Sequence, residues 1–230
     1  MNMPAYEEIT LGYSVEGRPI VATRFLPGVS EVDTLFLAAF HGDEPLSEQL
    51  LSRWRQHLIN NPAEWAHSPA FILVPVVNPD GLHRQTRTNA RGVDLNRNFP
   101  TQNWAEIETG TPYYSGPQAA SEPETEALLA LLEATKPRKI ISLHTPYKVL
   151  NFDGPAEALA NAMASHCGYP VVADIGYPTP GSFGTYVGKE RGIPTVTVEL
   201  AEDVSLDTLW KEHQLALEAA LLFTAAGPVG

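Results

Sequence analysis

Apolar and polar positions follow two different periods along the chain, and each period predicts one kind of element. Apolar runs rich in β-branched and aromatic residues predict strands at residues 20–26, 34–40, 70–77, 139–143 and 194–200. Apolar positions spaced three and four residues apart predict helices at residues 45–59, 122–134, 155–166 and 206–223. Because strands alternate with helices and no long linker divides them, we predict an α/β fold in a single domain over residues 1–230.

Two local signals predict where helices begin. Ser121 followed by Glu124 has the spacing of a capping box, in which each side chain bonds the other residue's backbone N–H. Pro45 suits the first turn of a helix, where a backbone N–H is not needed. Glu44 is therefore predicted to lie at a junction between a strand and a helix.

Composition and charge narrow the functional classes. The formal net charge of −12 argues against nucleic acid or an anionic membrane as partners, because both select a basic surface. No apolar run approaches the roughly 20 residues that span a bilayer. The first residues include Glu7 and Glu8 but no basic segment, so we expect no secretory signal. The single cysteine, Cys167, excludes an internal disulfide and favours the reducing cytoplasm.

Candidate catalytic side chains lie where predicted strands end. Strand 34–40 leads into His41 and then Glu44, strand 139–143 leads into His144, and the last strand contains Glu199. Ligands of open α/β sheets bind beyond the carboxyl ends of strands, so these side chains can converge. In the last strand, positions 196, 198 and 200 are apolar and form one face, whereas the polar positions 195, 197 and 199 form the other. A buried acid at position 199 would be costly without a partner.

Two histidines and a glutamate form a zinc ligand set that leaves a fourth position open for water. Zinc lowers the pKa of water from 15.7 to about 7, and Glu199 could take the proton and pass it to a leaving amine. Taken alone, a His-x-x-Glu pair is more often a solvated turn, and a histidine after a strand is more often structural. The joint placement of His41, Glu44 and His144 with Glu199 at three strand ends favours a site for one zinc ion.

A second polar cluster occupies segments 84–87 and 94–99. Amide hydrolysis needs a donor for the oxyanion, and an exopeptidase needs a cation for the terminal carboxylate of its substrate. Arginine suits both tasks because its planar, permanently charged group binds oxygen pairs bidentately. Arginines in an acidic protein can also simply pair with surface carboxylates, and we favour this interpretation for Arg84 and Arg91.

Four motifs, in this order, resemble those of the M14 zinc carboxypeptidases: HGDE at 41–44, NPDG at 78–81, GVDLNRNF at 92–99 and TVEL at 197–200. The resemblance extends from the first predicted strand to Leu200. Within the family, SEPETE at 121–126 and GYPTPGSFG at 176–184 resemble the bacterial amidases that cleave the γ-D-glutamyl–meso-diaminopimelate bond. The resemblance implies a mixed eight-stranded sheet with helices on both faces. It also assigns His41, Glu44 and His144 as ligands of one zinc ion and Glu199 as the general base.

The resemblance also implies roles for the arginine cluster. Asn96 and Arg97 match the pair that clamps the substrate's terminal carboxylate. Arg87 matches the oxyanion arginine better than Arg84, although both positions remain open.

The segment around residue 180 matches the family's side-chain pocket. Tyr177 lies near the position of a mobile tyrosine, and a packed loop aromatic is an equal alternative. Ser182 and Phe183 fall in the pocket itself. Gly184 lacks the acid that selects basic C-terminal residues, so such residues are not favoured by that route.

The implied reaction is hydrolysis of the γ-D-glutamyl–diaminopimelate amide in a small peptide from peptidoglycan, as part of cytoplasmic recycling of cell-wall peptides. One alternative is a zinc deacylase of N-acyl amino acids, of the aspartoacylase and succinylglutamate desuccinylase kind, which also uses a His-x-x-Glu…His set. The complete NPDG and DLNRNF segments favour the amidase. A second alternative is a non-catalytic peptide-binding module on the same fold. Such proteins usually lose a metal ligand or the base, and here all four residues are present.

Overall fold

The structure is a computed structural model that describes residues 5–28 and 31–224, so residues 1–4, 29–30 and 225–230 of the predicted domain lie outside it. The strands are β1 (Ala5–Tyr13), β2 (Pro19–Leu26), β3 (Val32–Ala38), β4 (Ala70–Val74), β5 (Lys139–His144), β6 (Val149–Asp153), β7 (Val171–Val172) and β8 (Thr195–Glu199). The α-helices are α1 (Pro45–Asn60), α2 (Pro79–Arg84), α3 (Pro123–Thr135), α4 (Glu157–Cys167) and α5 (Leu206–Leu222).

Within the described residues, these strands form one eight-stranded sheet in the order β1-β2-β4-β3-β5-β8-β6-β7. The central strands β4, β3, β5 and β8 run parallel, whereas β2 and β6 pair with this block antiparallel. The mixed sheet expected from the family resemblance is therefore confirmed. The carboxyl ends of β3, β5 and β8 lie at one edge, and this is the edge that carries the candidate site.

Apolar side chains fill a core on each face of the sheet, as a sheet covered by helices requires. One core joins α1, α4 and α5 to the sheet and includes Trp54, which meets Phe36 edge-on at 4.7 Å between ring centroids. The other core joins α3 and the loop residue Phe99 to the opposite face. Strand β3 supplies both cores, because Phe36 faces the first and Leu35 the second. Helices on both faces of the sheet are therefore confirmed.

Two predicted strands end earlier than their apolar runs suggested. Strand β3 stops at Ala38 instead of Phe40, because Ala39 has a φ of 50° in the left-handed region and turns the chain out of the sheet. Strand β4 stops at Val74 instead of Val77. His41 is thus separated from its strand by a short turn, and the prediction of a direct strand-to-histidine junction was wrong.

The predicted capping box is absent from α3. Glu122 is the N-cap residue and accepts a hydrogen bond from Ser121 Oγ at 2.8 Å, while the buried Glu124 carboxylate accepts from Asn89 Nδ2 at 3.1 Å. Ser121 Oγ also accepts from Asn98 Nδ2 at 3.0 Å, so a residue distant in sequence binds each of the two side chains. By contrast, the structure confirms that Pro45 opens α1 with Glu44 as the N-cap residue.

None of the helices in the described ranges combines the length and apolar character needed to cross a membrane.

Candidate active site

The register of the sheet brings the candidate side chains together. His144 ends β5 and pairs directly with Glu199, which ends β8. Ala38 ends β3 and pairs with Leu143 on the other side of β5, so the loop that follows β3 opens at the same edge. Three strand ends therefore meet at one place, as the sequence predicted.

The turn that carries His41 is held by the segment that begins α2. The Asn78 side chain accepts from the Gly81 N–H at 2.8 Å and donates to the Phe40 carbonyl at 3.1 Å. A Cβ atom at Gly42 would lie 1.9 Å from the Gly81 carbonyl carbon, and the Gly42 N–H donates to the Thr86 carbonyl at 2.9 Å. Only glycine fits at position 42, and Asn78 and Gly81 fix the direction in which His41 leaves the sheet.

His41, Glu44 and His144 are buried and offer donor atoms that all lie within 4.8 Å of one another. Glu44 Oε1 lies 2.7 Å from His41 Nδ1, and Glu44 Oε2 lies 3.0 Å from His144 Nδ1. The Thr145 N–H donates to Glu44 Oε2 at 3.2 Å, and the Phe40 ring stacks on His144 at 5.5 Å. Each ring and the carboxylate are thus oriented toward one point.

Asp94, which our residue-level predictions left without a role, links the histidine to the arginine cluster. Its buried carboxylate lies 3.0 Å from His41 Nε2 and accepts from Arg87 Nε at 3.0 Å and from the Asn96 N–H at 2.9 Å. A carboxylate on the second nitrogen of a ligating histidine fixes its tautomer and ring orientation. The motif GVDLNRNF contained the signal, but only the tertiary structure brings Asp94 beside His41.

The carboxylates around His41 dominate its protonation. Burial alone would lower the pKa of His41, but Asp94 and Glu44 outweigh burial and raise that pKa to about 9. Burial lowers the pKa of His144, whose carboxylate partner is Glu44. The two imidazoles therefore lie in different electrostatic surroundings although they share one carboxylate.

Glu199 is buried, and its Oε2 atom finds no hydrogen-bond partner within the described part of the chain. Burial and the neighbouring Glu44 carboxylate raise the pKa of Glu199 to about 8. An unpaired buried carboxylate oxygen costs free energy, and natural sites keep one where it serves catalysis or binds an ion.

These observations fit a zinc ion. The two imidazoles and the carboxylate are the donor types of a catalytic zinc site with an open position, and their separations allow all three to reach one ion. Asp94 supplies the orienting partner such a histidine needs. The unpaired oxygen of Glu199 borders the same cleft.

The arginines of the second polar cluster lie in two different surroundings. Arg87 and Arg97 both line the cleft, and their guanidinium groups lie 5.2 and 5.8 Å from the centroid of the Tyr113 ring. Arg87 is held by Asp94 and lies 3.7 Å from Glu44 Oε1. Arg84 is partly exposed and pairs with Glu16.

Asn96 and the residues near position 180 form another wall of the cleft. Asn96 Oδ1 accepts from the Phe183 N–H at 2.8 Å, which orients the Asn96 amide. Tyr177 lines the cleft, and burial together with Tyr147 raises its pKa to about 12. Ser182 also lines the cleft, although its hydroxyl already donates to Thr185 Oγ1 at 2.9 Å.

Phe183 does not match its predicted role as a substrate contact. Its side chain is 2% exposed and packs against Phe40 at 5.3 Å and Phe99 at 5.1 Å between ring centroids. It therefore supports the wall of the cleft from the core. Sequence alone suggested a contact because Ser182 and Phe183 are neighbours, but their side chains point to different sides of the backbone.

The fold and the site together define a class, a metal-dependent hydrolase of the α/β carboxypeptidase type. The sequence profile of the zinc carboxypeptidase family, peptidase M14, matches residues 4–158. The chain belongs to this zinc-dependent family, and the predicted membership is confirmed. It is a hydrolase of peptide bonds.

The relatives are more specific than the family. The chain is 37% identical over 226 residues to murein peptide amidase A of Vibrio campbellii, an alignment that covers 91% of this chain and 85% of that protein. It is 37% identical over 217 residues to murein peptide amidase A of Escherichia coli K12, with coverages of 90% and 86%. The crystal structure of murein-tripeptide amidase from Escherichia coli O157 superimposes with a TM-score of 0.78 at 28% identity, over 99% of this chain and 100% of that one.

Proposed function

We propose that this protein hydrolyses the amide between the γ-carboxyl group of D-glutamate and meso-diaminopimelate in peptides derived from murein. The observation that carries the proposal is the convergence of His41, Glu44 and His144 with the unpaired Glu199 oxygen in one cleft. The likeness to two murein peptide amidases over most of their length supports this substrate.

His41, Glu44 and His144 would hold a single zinc ion. When bound, zinc lowers the pKa of water to about 7 and polarises the scissile carbonyl group. Asp94 keeps the His41 ring turned toward the ion through the 3.0 Å contact at Nε2.

Glu199 moves the proton. Its free Oε2 atom takes a proton from the attacking water and delivers it to the nitrogen of the leaving amine. Burial beside Glu44 raises the pKa of Glu199 to about 8, which makes its carboxylate a stronger base than an exposed one. Because Glu199 pairs with His144 across the sheet, its position relative to the metal ligands is set by backbone hydrogen bonds.

Two arginines bind different parts of the substrate. Arg87, beside the metal ligands, donates to the oxyanion that develops as the amide is attacked. Arg97 and Asn96, which also line the cleft, hold the α-carboxylate of diaminopimelate, and Arg97 binds it bidentately. Asp94 and Tyr113 orient Arg87 before the substrate arrives.

The proposed setting is recycling of murein peptides in the cytoplasm. A single cysteine, Cys167, which is free, is compatible with a reducing compartment. Cell fractionation with an antibody to the protein tests this part, and recovery in a periplasmic fraction would contradict it.

The reaction is tested with L-alanyl-γ-D-glutamyl-meso-diaminopimelate and the purified protein, by measuring release of diaminopimelate. We expect turnover that a chelator abolishes and one equivalent of zinc restores. The α-linked isomer and N-acyl amino acids serve as comparison substrates. The proposal fails if the zinc-loaded protein releases no diaminopimelate, and preferred cleavage of N-acyl amino acids would assign it to the deacylases.

A further inference from the structure

The cleft continues past Glu199 along the polar face of β8 and β6. The two strands pair antiparallel, with Asn151 opposite Thr197 and Asp153 opposite Thr195. Side chains two residues apart share a face, so Asn151 and Asp153 lie on the same side of the sheet as Glu199. Asp153 lies four residues along the sheet from the level of Glu199, a distance of about 13 Å at roughly 3.3 Å per residue. The cleft lining includes Asn151, Thr197 and Asp153.

The far end of the cleft is built around the Asp153 carboxylate. A Cβ atom at Gly184 would lie 2.1 Å from Asp153 Oδ2, and one at Gly188 would lie 2.4 Å from Asp153 Cβ. Gly184 has φ −58° and ψ −40°, an ordinary helical conformation that any residue adopts. Glycine is therefore needed at 184 for the space that the carboxylate fills.

Asp153 pairs with Lys189 at the rim of the cleft. Lys189 Nζ lies 3.2 Å from Asp153 Oδ1, where the Lys189 side chain is 55% exposed and the Asp153 side chain 10%. Lys189 ends the π-helical turn Thr185–Lys189 and lines the cleft together with Asp153. The end of the cleft thus offers one fixed negative charge and one movable positive charge side by side.

We propose that Asp153 and Lys189 recognise a substrate side chain that ends in an ammonium and a carboxylate on the same carbon. Asp153 binds the ammonium, and Lys189 turns from Asp153 to bind the carboxylate. The inference rests on the proposed function, since meso-diaminopimelate is lysine with a second carboxylate on its ε-carbon. Four carbon–carbon bonds of about 1.5 Å separate its two charged ends, which fits within the length of the cleft.

Charge balance gives this pair its selectivity. The Asp153–Lys189 pair has no net charge, and neither has the end of diaminopimelate, which carries one ammonium and one carboxylate. When the ammonium binds Asp153 and the carboxylate binds Lys189, every charge still has an opposite partner. A lysine side chain brings only an ammonium, which would leave Lys189 with an excess positive charge beside it. Asp153 supplies the acid that position 184 lacks. The cleft therefore accepts a side chain that ends in an ammonium, provided that a carboxylate accompanies the ammonium.

The experiment compares two tripeptides that differ only in that carboxylate, L-alanyl-γ-D-glutamyl-meso-diaminopimelate and L-alanyl-γ-D-glutamyl-L-lysine. The zinc-loaded wild type is measured beside Lys189→Met, Asp153→Asn and Lys211→Met, the last a control at an exposed lysine of α5. KM and kcat are determined for both peptides. Calorimetry measures binding of free meso-diaminopimelate and free L-lysine, independently of turnover.

Lys189→Met should raise KM for the diaminopimelate peptide and Kd for free diaminopimelate about tenfold, the size of one charge-assisted hydrogen bond at a half-exposed site. It should leave binding of the lysine ligands unchanged or tighter, and kcat for both peptides near the wild-type value. Asp153→Asn, which keeps the shape that fits the two glycines, should weaken both ligands. Lys211→Met should change neither.

An unchanged preference for diaminopimelate over lysine in Lys189→Met would overturn the inference, as would equal weakening of both ligands. Failure of the proposed function looks different, because the wild type would then leave the γ-linked peptide intact. In that case, binding of free diaminopimelate that is weakened by Lys189→Met would still support the inference about Asp153 and Lys189. Binding that is absent or independent of Lys189 would overturn that inference.

Discussion

Replacing Asp94 by asparagine tests the link between the metal ligands and the arginine cluster. The Asp94 carboxylate is fully buried and lies 3.0 Å from His41 Nε2 and 3.0 Å from Arg87 Nε. Asparagine keeps the size and one acceptor oxygen but replaces the other oxygen with an NH₂ donor. Arg87 presents an N–H donor to Asp94, and so does His41 when it is protonated on Nε2. The new NH₂ group must face one of these two donors, so one hydrogen bond is lost.

The expected loss follows from these contacts. A hydrogen bond to a charged group contributes about 1.5–3 kcal/mol, and losing the carboxylate behind a ligating histidine costs about 10–100-fold in metal affinity. We therefore expect the zinc Kd of Asp94→Asn to rise about 10–100-fold. At saturating zinc, kcat should also be lower than that of the wild type, because Arg87 loses the charge that positions it.

Competition with a chromogenic chelator measures the zinc Kd, and Asp80→Asn provides a matched control. Asp80 is equally buried and accepts from Ser14 Oγ at 2.7 Å and from Arg18 at 2.6 Å, at a site that does not line the cleft. Both variants should lose thermal stability, but only Asp94→Asn should lose zinc affinity. A zinc Kd for Asp94→Asn equal to that of Asp80→Asn would refute the link.

Three further predictions concern the base, the arginines and acid stability. Glu199→Gln should retain zinc by elemental analysis yet lose about 10²–10⁴ in turnover, since an amide cannot accept the proton; loss of zinc would make Glu199 a ligand. Arg87→Ala should lower kcat by about 10²–10³, whereas Arg97→Ala should mainly raise KM. Arg84→Ala is the control. A larger loss of kcat in Arg84→Ala than in Arg87→Ala would assign the oxyanion role to Arg84. Burial lowers the pKa of His213 to about 4, so the unfolded chain takes up a proton below pH 6.5 before the folded protein does. Between pH 6.5 and 4 the wild type should lose about 3 kcal/mol more unfolding free energy than His213→Leu, measured by urea denaturation at each pH. The same dependence of the unfolding free energy on pH in both proteins would contradict this prediction.

The spacing of apolar residues predicted the helices and strands that bury an apolar face of their own. The helices α1, α3, α4 and α5 begin and end within a few residues of their predicted limits, and β2 and β5 agree equally well. Strands β1, β6 and β7 were not predicted. β1 is largely exposed and β7 has only two residues, so neither carries a buried apolar face that the sequence could reveal.

The candidate site divides in the same way. The convergence of His41, Glu44, His144 and Glu199 was predictable because these residues lie at or just after the ends of buried parallel strands, whose carboxyl ends must share one edge of a sheet. The orientation of Phe183 into the core was not predictable, because it depends on contacts with Phe40 and Phe99. Likewise, Ser121 and Glu124 had a local capping pattern, but buried partners distant in sequence bound their side chains instead.

The sequence by itself determined the order of the central buried strands and long helices, the family and the residues able to hold zinc, because these depend on local pattern and on motif. Only the tertiary structure decided which side chains those motifs face. Asp94 lies 53 residues from His41 along the chain but 3.0 Å from its ring. Asp153 lies within 3.2 Å of Lys189 because β6 runs antiparallel to β8 and two glycines leave room for its carboxylate. Such contacts join segments through strand pairing and packing, which no local pattern encodes.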